Sequence, residues 1–320
     1  MHVKATRFQR ILVPVHALHP EGYAVRLAID LARRHHGEIF LVLKNIERSV
    51  SADHKYFWLL AEDEDASRTA DVKSFELHSG DLNELEIPVH HAHVDNQPIA
   101  PGIVEYAANN EIDLIVMETY GHRSLGRFVF GGTAGEVVRW SKCPVLTVRK
   151  QFKPSSDVSV QRILVPVDFS GYSRDAIRLA NSLVKLYEAS IQLLYVHEER
   201  PLPVFDDSGP SGTTVLKTQE DKDNLARKAL QTLYSTSDQT AVPASYHVRR
   251  GHVSKEILDF ATSQAPDLII ISSHGLTDNS DFTLGNVAEK VVRHARCPVL
   301  TLKASHEPAF EPGDQVDSAV

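Results

Sequence analysis

The chain has 320 residues, 42% hydrophobic and 24% charged, which is the balance of a folded protein with room for two domains of ordinary size. Its net charge of −8 excludes the basic face that nucleic acid requires, and no run of 18 apolar residues is present to span a bilayer. Two cysteines, Cys143 and Cys297, make no disulfide framework and read as small core residues, and the first charges are followed by no apolar run, so the expected compartment is the cytoplasm.

Residues 11–15 form an unbroken apolar run, as in a strand buried on both faces of a parallel sheet. Ala24, Val25, Leu27, Ala28 and Leu31 follow at helical spacing, and a second strand is expected over 39–43. A third strand falls near 90–94, a helix over 103–108, a fourth strand over 114–117, a helix over 134–139 and a last strand from Pro144. The polar stretch 151–160 reads as a linker.

The same order then recurs. Ile11-Leu12-Val13-Pro14-Val15 returns at Ile163, 152 positions later. Asp113-Leu114-Ile115 and Cys143-Pro144-Val145-Leu146-Thr147 return at Asp267 and Cys297, each 154 positions later. The second copy reads as a helix with Ser173 at its N-cap, a strand over 191–196, a helix-compatible stretch over 219–233 and a strand over 245–248. A helix over 257–261, a strand over 268–271, a helix over 288–293 and a strand from Pro298 complete it. A period this long is no solenoid, so each copy buries its own core: one domain over 1–150, a second over 161–304, and a polar tail over 305–320 expected to be disordered. The alternation of strand and helix implies parallel sheets with right-handed crossovers.

In such sheets ligands bind beyond the carboxyl ends of the strands. After the fourth strand, copy two reads Ile271-Ser272-Ser273-His274-Gly275, then nine residues, then Gly285-Asn286-Val287 opening a helix. Copy one reads Met117-Glu118-Thr119-Tyr120-Gly121, nine residues, then Gly131-Gly132-Thr133. Glycines let a backbone approach phosphates, and a helix N-terminus offers free N–H groups to an anion. Turn and cap glycines are the plainer alternative for the same residues.

With these motifs the chain resembles a tandem universal stress protein of the UspA superfamily, whose loop reads Gly, two residues, Gly, nine residues, Gly, Ser or Thr, and whose first strand ends in Val-Pro-Val-Asp. The resemblance covers nearly all of the chain except the linker, the tail and the divergent segments 47–88 and 199–243. It implies two flavodoxin-like or Rossmann-like α/β domains, each a five-stranded parallel sheet of order 3-2-1-4-5 with helices on both faces. It also implies that the last strands pair within the chain, with a homodimer as a further expectation.

By the same match, Pro166, Asp168, Val196, Ile271, Ser272, Gly275, Gly285, Asn286 and Val287 would hold ATP or AMP in copy two, with Mg²⁺ beside a polyphosphate. Ser272 departs from the family's Gly, Asn286 from its Ser or Thr, and the loop carries Asp278 and Asp281. Copy one departs further: His16 replaces the Asp, Glu118 the first Gly and Gly132 the hydroxyl residue, leaving a degenerate site of His16, Met117, Gly121, Gly131, Gly132 and Thr133. The function implied is a non-catalytic stress-response regulator that binds an adenine nucleotide without efficient turnover. The alternatives are a nucleotide-free interaction scaffold acting through the divergent segments, and a slow ATPase. His35-His36 reads as a helix end where cations suit the dipole, and the histidines at 90, 91 and 93 lack partners at metal-ligand spacing.

Overall fold

Each half's short apolar strands alternate with amphipathic helices, so every helix has a sheet face to cover. The structure, a computed structural model, describes residues 7–15, 22–44, 87–94, 98–119, 132–149, 158–198, 218–237, 242–275 and 284–303. The linker over 151–157, the tail from 304, His16, Gly121, Gly131, Asp278, Asp281 and most of the divergent segments lie outside these residues. The first half contains β1 (Arg10–Val15), α1 (Tyr23–His35), β2 (Glu38–Lys44), β3 (Val89–Val94), α2 (Ile99–Asn109), β4 (Leu114–Thr119), α3 (Thr133–Trp140) and β5 (Val145–Arg149). The second contains β6 (Arg162–Val167), α4 (Gly171–Tyr187), β7 (Ser190–Glu198), α5 (Gln219–Ser237), β8 (Ala244–Gly251), α6 (Val253–Gln264), β9 (Leu268–Ser272), α7 (Asn286–His294) and β10 (Val299–Leu302).

The strands form one ten-stranded sheet of order β3-β2-β1-β4-β5-β10-β9-β6-β7-β8. Pairing is parallel within each half, and β5 meets β10 antiparallel. The register sets Leu146 opposite Leu300, its own counterpart 154 positions on, so a pseudo-twofold axis passes through that pair. Because the halves run in opposite directions, their carboxyl-terminal edges lie on opposite edges of the sheet.

Two apolar layers cover the sheet, and each runs across the seam. One packs α1, α4 and α5 over Ile11, Leu146, Ile163 and Leu300. The other packs α2, α3, α6 and α7 over Leu12, Val145, Leu164 and Val299. Polar contacts across the seam repeat the twofold. Arg149 donates to the carbonyl of Arg293 at the end of α7, and Lys303 Nζ donates to the carbonyl of Arg139 near the end of α3, 2.9 Å away. Each half thus supplies a cation to a helix C-terminus of the other, where the dipole favours one. Between α1 and α4, Tyr187 donates to Asp30 at 2.5 Å and Arg34 lies over the Tyr187 ring.

Burial pulls the Lys303 amine down to about 8 from its ordinary 10.5. Between those values the unfolded chain holds a proton that the folded chain has released, so stability from this group rises with pH across the window and is lost as pH falls back through 8. Lys303→Met removes the titration. The stability of the natural chain relative to this variant, from urea unfolding, is expected to rise by about 1–2 kcal/mol from pH 7.5 to 10.5, after discounting for solvent screening. A difference that stays flat would refute the burial of this amine.

Two expectations need correction and a third is refined. Helix α4 begins a turn earlier than expected: Ser170 is its N-cap, accepting from the Ser173 N–H at 3.2 Å, and Ser173 is the third helical residue. The helix end at His35-His36 is as expected, but the cations that meet the α1 dipole are Arg33 and Arg34, while the His35 ring packs edge-on against Phe8 and burial lowers its pKa. Cys143 and Cys297 are half-buried rather than fully so, and burial pushes both thiols up, that of Cys297 to about 12.

Candidate functional site

In the second half, β6, β7 and β9 bring their carboxyl ends to one edge. Strand alternation places Pro166, opposite Leu194, on the face where Val196 and Ile271 are buried and Val287 packs beside them. These four apolar residues form one wall below the strand ends.

Asp168 follows β6 directly. Its Oδ1 accepts from the Ser170 N–H at 3.0 Å and from Ser173 Oγ at 2.6 Å, while its own N–H donates to Ser173 Oγ at 3.1 Å. These bonds hold a tight turn, completed by Phe169 with φ +65°. Asp168 is therefore not the helix cap; Ser170 is. With Oδ1 engaged, Oδ2 faces Gly275 so closely that a Cβ there would lie 2.7 Å from it. The loops after β6 and β9, more than 100 residues apart in sequence, meet at this point.

Ser272 ends β9 and is half-buried. Its hydroxyl turns to the carbonyl of His274, 2.7 Å away. Ser273 and His274 are buried, and Ser273 Oγ lies 2.8 Å from His274 Nδ1. The Ser273 N–H donates to Leu302 and its carbonyl accepts from the Gly285 N–H at 2.8 Å, which ties the start of α7 to the end of β9. Gly285 is the N-cap of α7, and no side chain among the described residues caps it. Asn286 is exposed at the first helical position, where the leading N–H groups of a helix have no partner within the helix itself. Sequence reasoning passed over Ser273 and His274, although both stand inside the spaced-glycine motif.

The first half is built differently. Met117 is buried under the strand end, but the Glu118 carboxylate lies against Gly22, the N-cap of α1. It supplies negative charge to a helix that has no acidic residue in its first turn. Gly132, counterpart of Asn286, adopts φ +136° as the N-cap of α3, and Thr133 is the first helical residue. A backbone that only glycine adopts readily stands where the second half is already helical. His16, Gly121 and Gly131 lie outside the described residues.

Among the described residues no group of three or more His, Cys, Asp or Glu side chains is placed to hold a metal ion, and no helix is long and apolar enough to cross a membrane. His90 lies 2.7 Å from Glu38 and stacks on Phe40.

Comparison with known proteins agrees with this architecture. The sequence signature of the universal stress protein family matches residues 7–149 and again 159–303. The universal stress protein E homolog of Haemophilus influenzae is 24% identical over 315 residues, spanning 93% of this chain and 98% of the relative. Among solved structures, a protein of Pseudomonas aeruginosa described as a universal stress protein superposes with a TM-score of 0.63 at 19% identity, covering 93% of this chain and 94% of that one. A universal stress protein from Archaeoglobus fulgidus gives a TM-score of 0.58 at 16% identity, covering 93% and 99%. Doubly matched along its length and folded as two α/β units with mostly parallel strands, the chain belongs to the universal stress protein family.

Proposed function

We propose that the second half binds an adenine nucleotide, ATP or AMP, without efficient turnover, and that the protein acts as a stress-response regulator through that binding. The observation that carries the reading is the meeting of the Asp168 carboxylate with Gly275, which follows β9 on the way to the N-terminus of α7, where the N-cap is a glycine. Pro166, Val196, Ile271 and Val287 would face the base. Gly275, Gly285 and Asn286 would face the phosphates, with Mg²⁺ bound only alongside a polyphosphate. Gly275 fits this role because a Cβ there would press on Asp168 and narrow the gap. The first half, with Glu118 turned to α1 and Gly132 at positive φ, is assigned no nucleotide. The working units are 1–150 and 161–304, acting in the cytoplasm.

Isothermal titration with ATP, ADP and AMP, with and without Mg²⁺, tests the proposal. One site per chain is expected. Asp168→Ala should weaken binding about tenfold, the loss of one hydrogen bond to a charged group, and Gly275→Glu should weaken it further by placing a second carboxylate in the gap. Absence of binding by the natural chain would leave the scaffold reading in its place. ADP formed over hours and abolished by Asp168→Asn would make the protein a slow ATPase.

A further inference from the structure

We infer that His274 is a positioning residue that sets both rims of the second-half site without touching the ligand. The inference rests on the nucleotide reading above and names the part that prearranges its phosphate end. His274 is 7% exposed, and its ring lies 6.1 Å from that of Tyr172 in the first turn of α4. Its Nδ1 pairs with the fully buried Ser273 hydroxyl at 2.8 Å, and its carbonyl accepts from Ser272 Oγ at 2.7 Å. Three successive residues are thus locked to one another by their own side chains.

Both rims hang on this lock. The Ser273 carbonyl holds the Gly285 N–H and so fixes where α7 starts, and the Ser273 N–H is anchored on Leu302 of β10 at 2.7 Å. On the other side, Gly275 follows His274 directly and meets Asp168. Removing the imidazole frees the Ser273 hydroxyl inside the core and opens space behind the main chain that carries the Gly285 bond. The amides of α7 then lose their fixed direction, and binding of a charged group suffers because prearranged dipoles outperform mobile ones. The apolar wall of Pro166, Val196 and Ile271 does not depend on this lock, so recognition of the base is spared.

The test compares adenosine with ATP on the full chain. His274→Ala is expected to weaken ATP about 10- to 100-fold while adenosine changes less than about threefold, and His274→Asn, whose amide replaces Nδ1 as partner of Ser273, should recover most of the loss. Ser273→Ala cuts the same bond with the ring retained and should follow His274→Ala, which guards against a variant that does not fold. A readout without ligand accompanies it: the Gly285 amide should exchange with solvent about tenfold faster in His274→Ala than in the natural chain. Unchanged Gly285 exchange, or equal losses for adenosine and ATP, overturns the inference. If the natural chain binds no adenylate but Gly285 exchange responds as expected, the nucleotide reading fails and the positioning role stands.

Discussion

Asp267→Ala is expected to lower the stability of the chain by about 2–3 kcal/mol, and Asp113→Ala to do the same from the other half. A single oxygen of Asp267, Oδ2, accepts from the N–H groups of Gln161 and Arg162, both at 2.9 Å, while the Asp267 N–H returns a bond to the Arg162 carbonyl. Asp113 repeats the arrangement with Gln9 at 2.7 Å and Arg10 at 3.0 Å. Each carboxylate ties the entry of its half's first strand to the entry of its fourth, where the ladder between those strands is short. Two charge-assisted bonds are lost together in the alanine variant, and because the strand entry is partly open to water the expected cost stays near the lower end for such bonds. Asp267→Asn keeps an acceptor and should lose about half as much. Urea unfolding of the three single variants measures this; midpoints within error of the natural chain would show that the recurring Asp-Leu-Ile motif serves something other than the fold.

Residues 158–303 produced alone are expected to form a twofold dimer through β10 rather than a monomer. In the full chain Leu146 and Leu300 are 2% and 1% exposed, and Thr147 Oγ donates to the Val299 carbonyl at 3.2 Å. Removing the first half bares the ladder groups of β10 and the apolar residues on both of its faces, an edge of the kind that recruits another strand. The pseudo-twofold already pairs each β10 residue with the counterpart of its mirror position, so a second copy of the half can replace the first with Leu300 facing Leu300. Light scattering should give twice the mass of the fragment, and Leu300→Lys should abolish the dimer together with the fold. A stable monomeric fragment would show that the seam is an accessory contact rather than part of a shared core.

The candidate site was legible in part. The spaced glycines and the residue after Val-Pro-Val marked Asp168, Gly275 and Gly285, since close backbone approach and helix starts leave a mark on local composition. What Asp168 does there was not legible, because one oxygen serves Ser170 and Ser173 while the other faces a glycine 107 positions away. Ser272 read only as a departure from the family's Gly, and the bond from its hydroxyl to the His274 carbonyl is a conformational detail that composition does not record.

From the sequence alone came the duplication, carried by blocks that return 152 to 154 positions later, and the apolar strands, their alternation with helices and hence the α/β class, carried by periodicity within some twenty residues. The family resemblance also implied that the last strands pair; tertiary structure decided the rest: the antiparallel register that sets Leu146 on Leu300, the reciprocal cations of Arg149 and Lys303, the turn of Glu118 toward α1, and the lock around His274. These depend on which side chains arrive together once the layers pack. Most join residues more than 90 positions apart, and no local pattern of polarity records a partner at that distance.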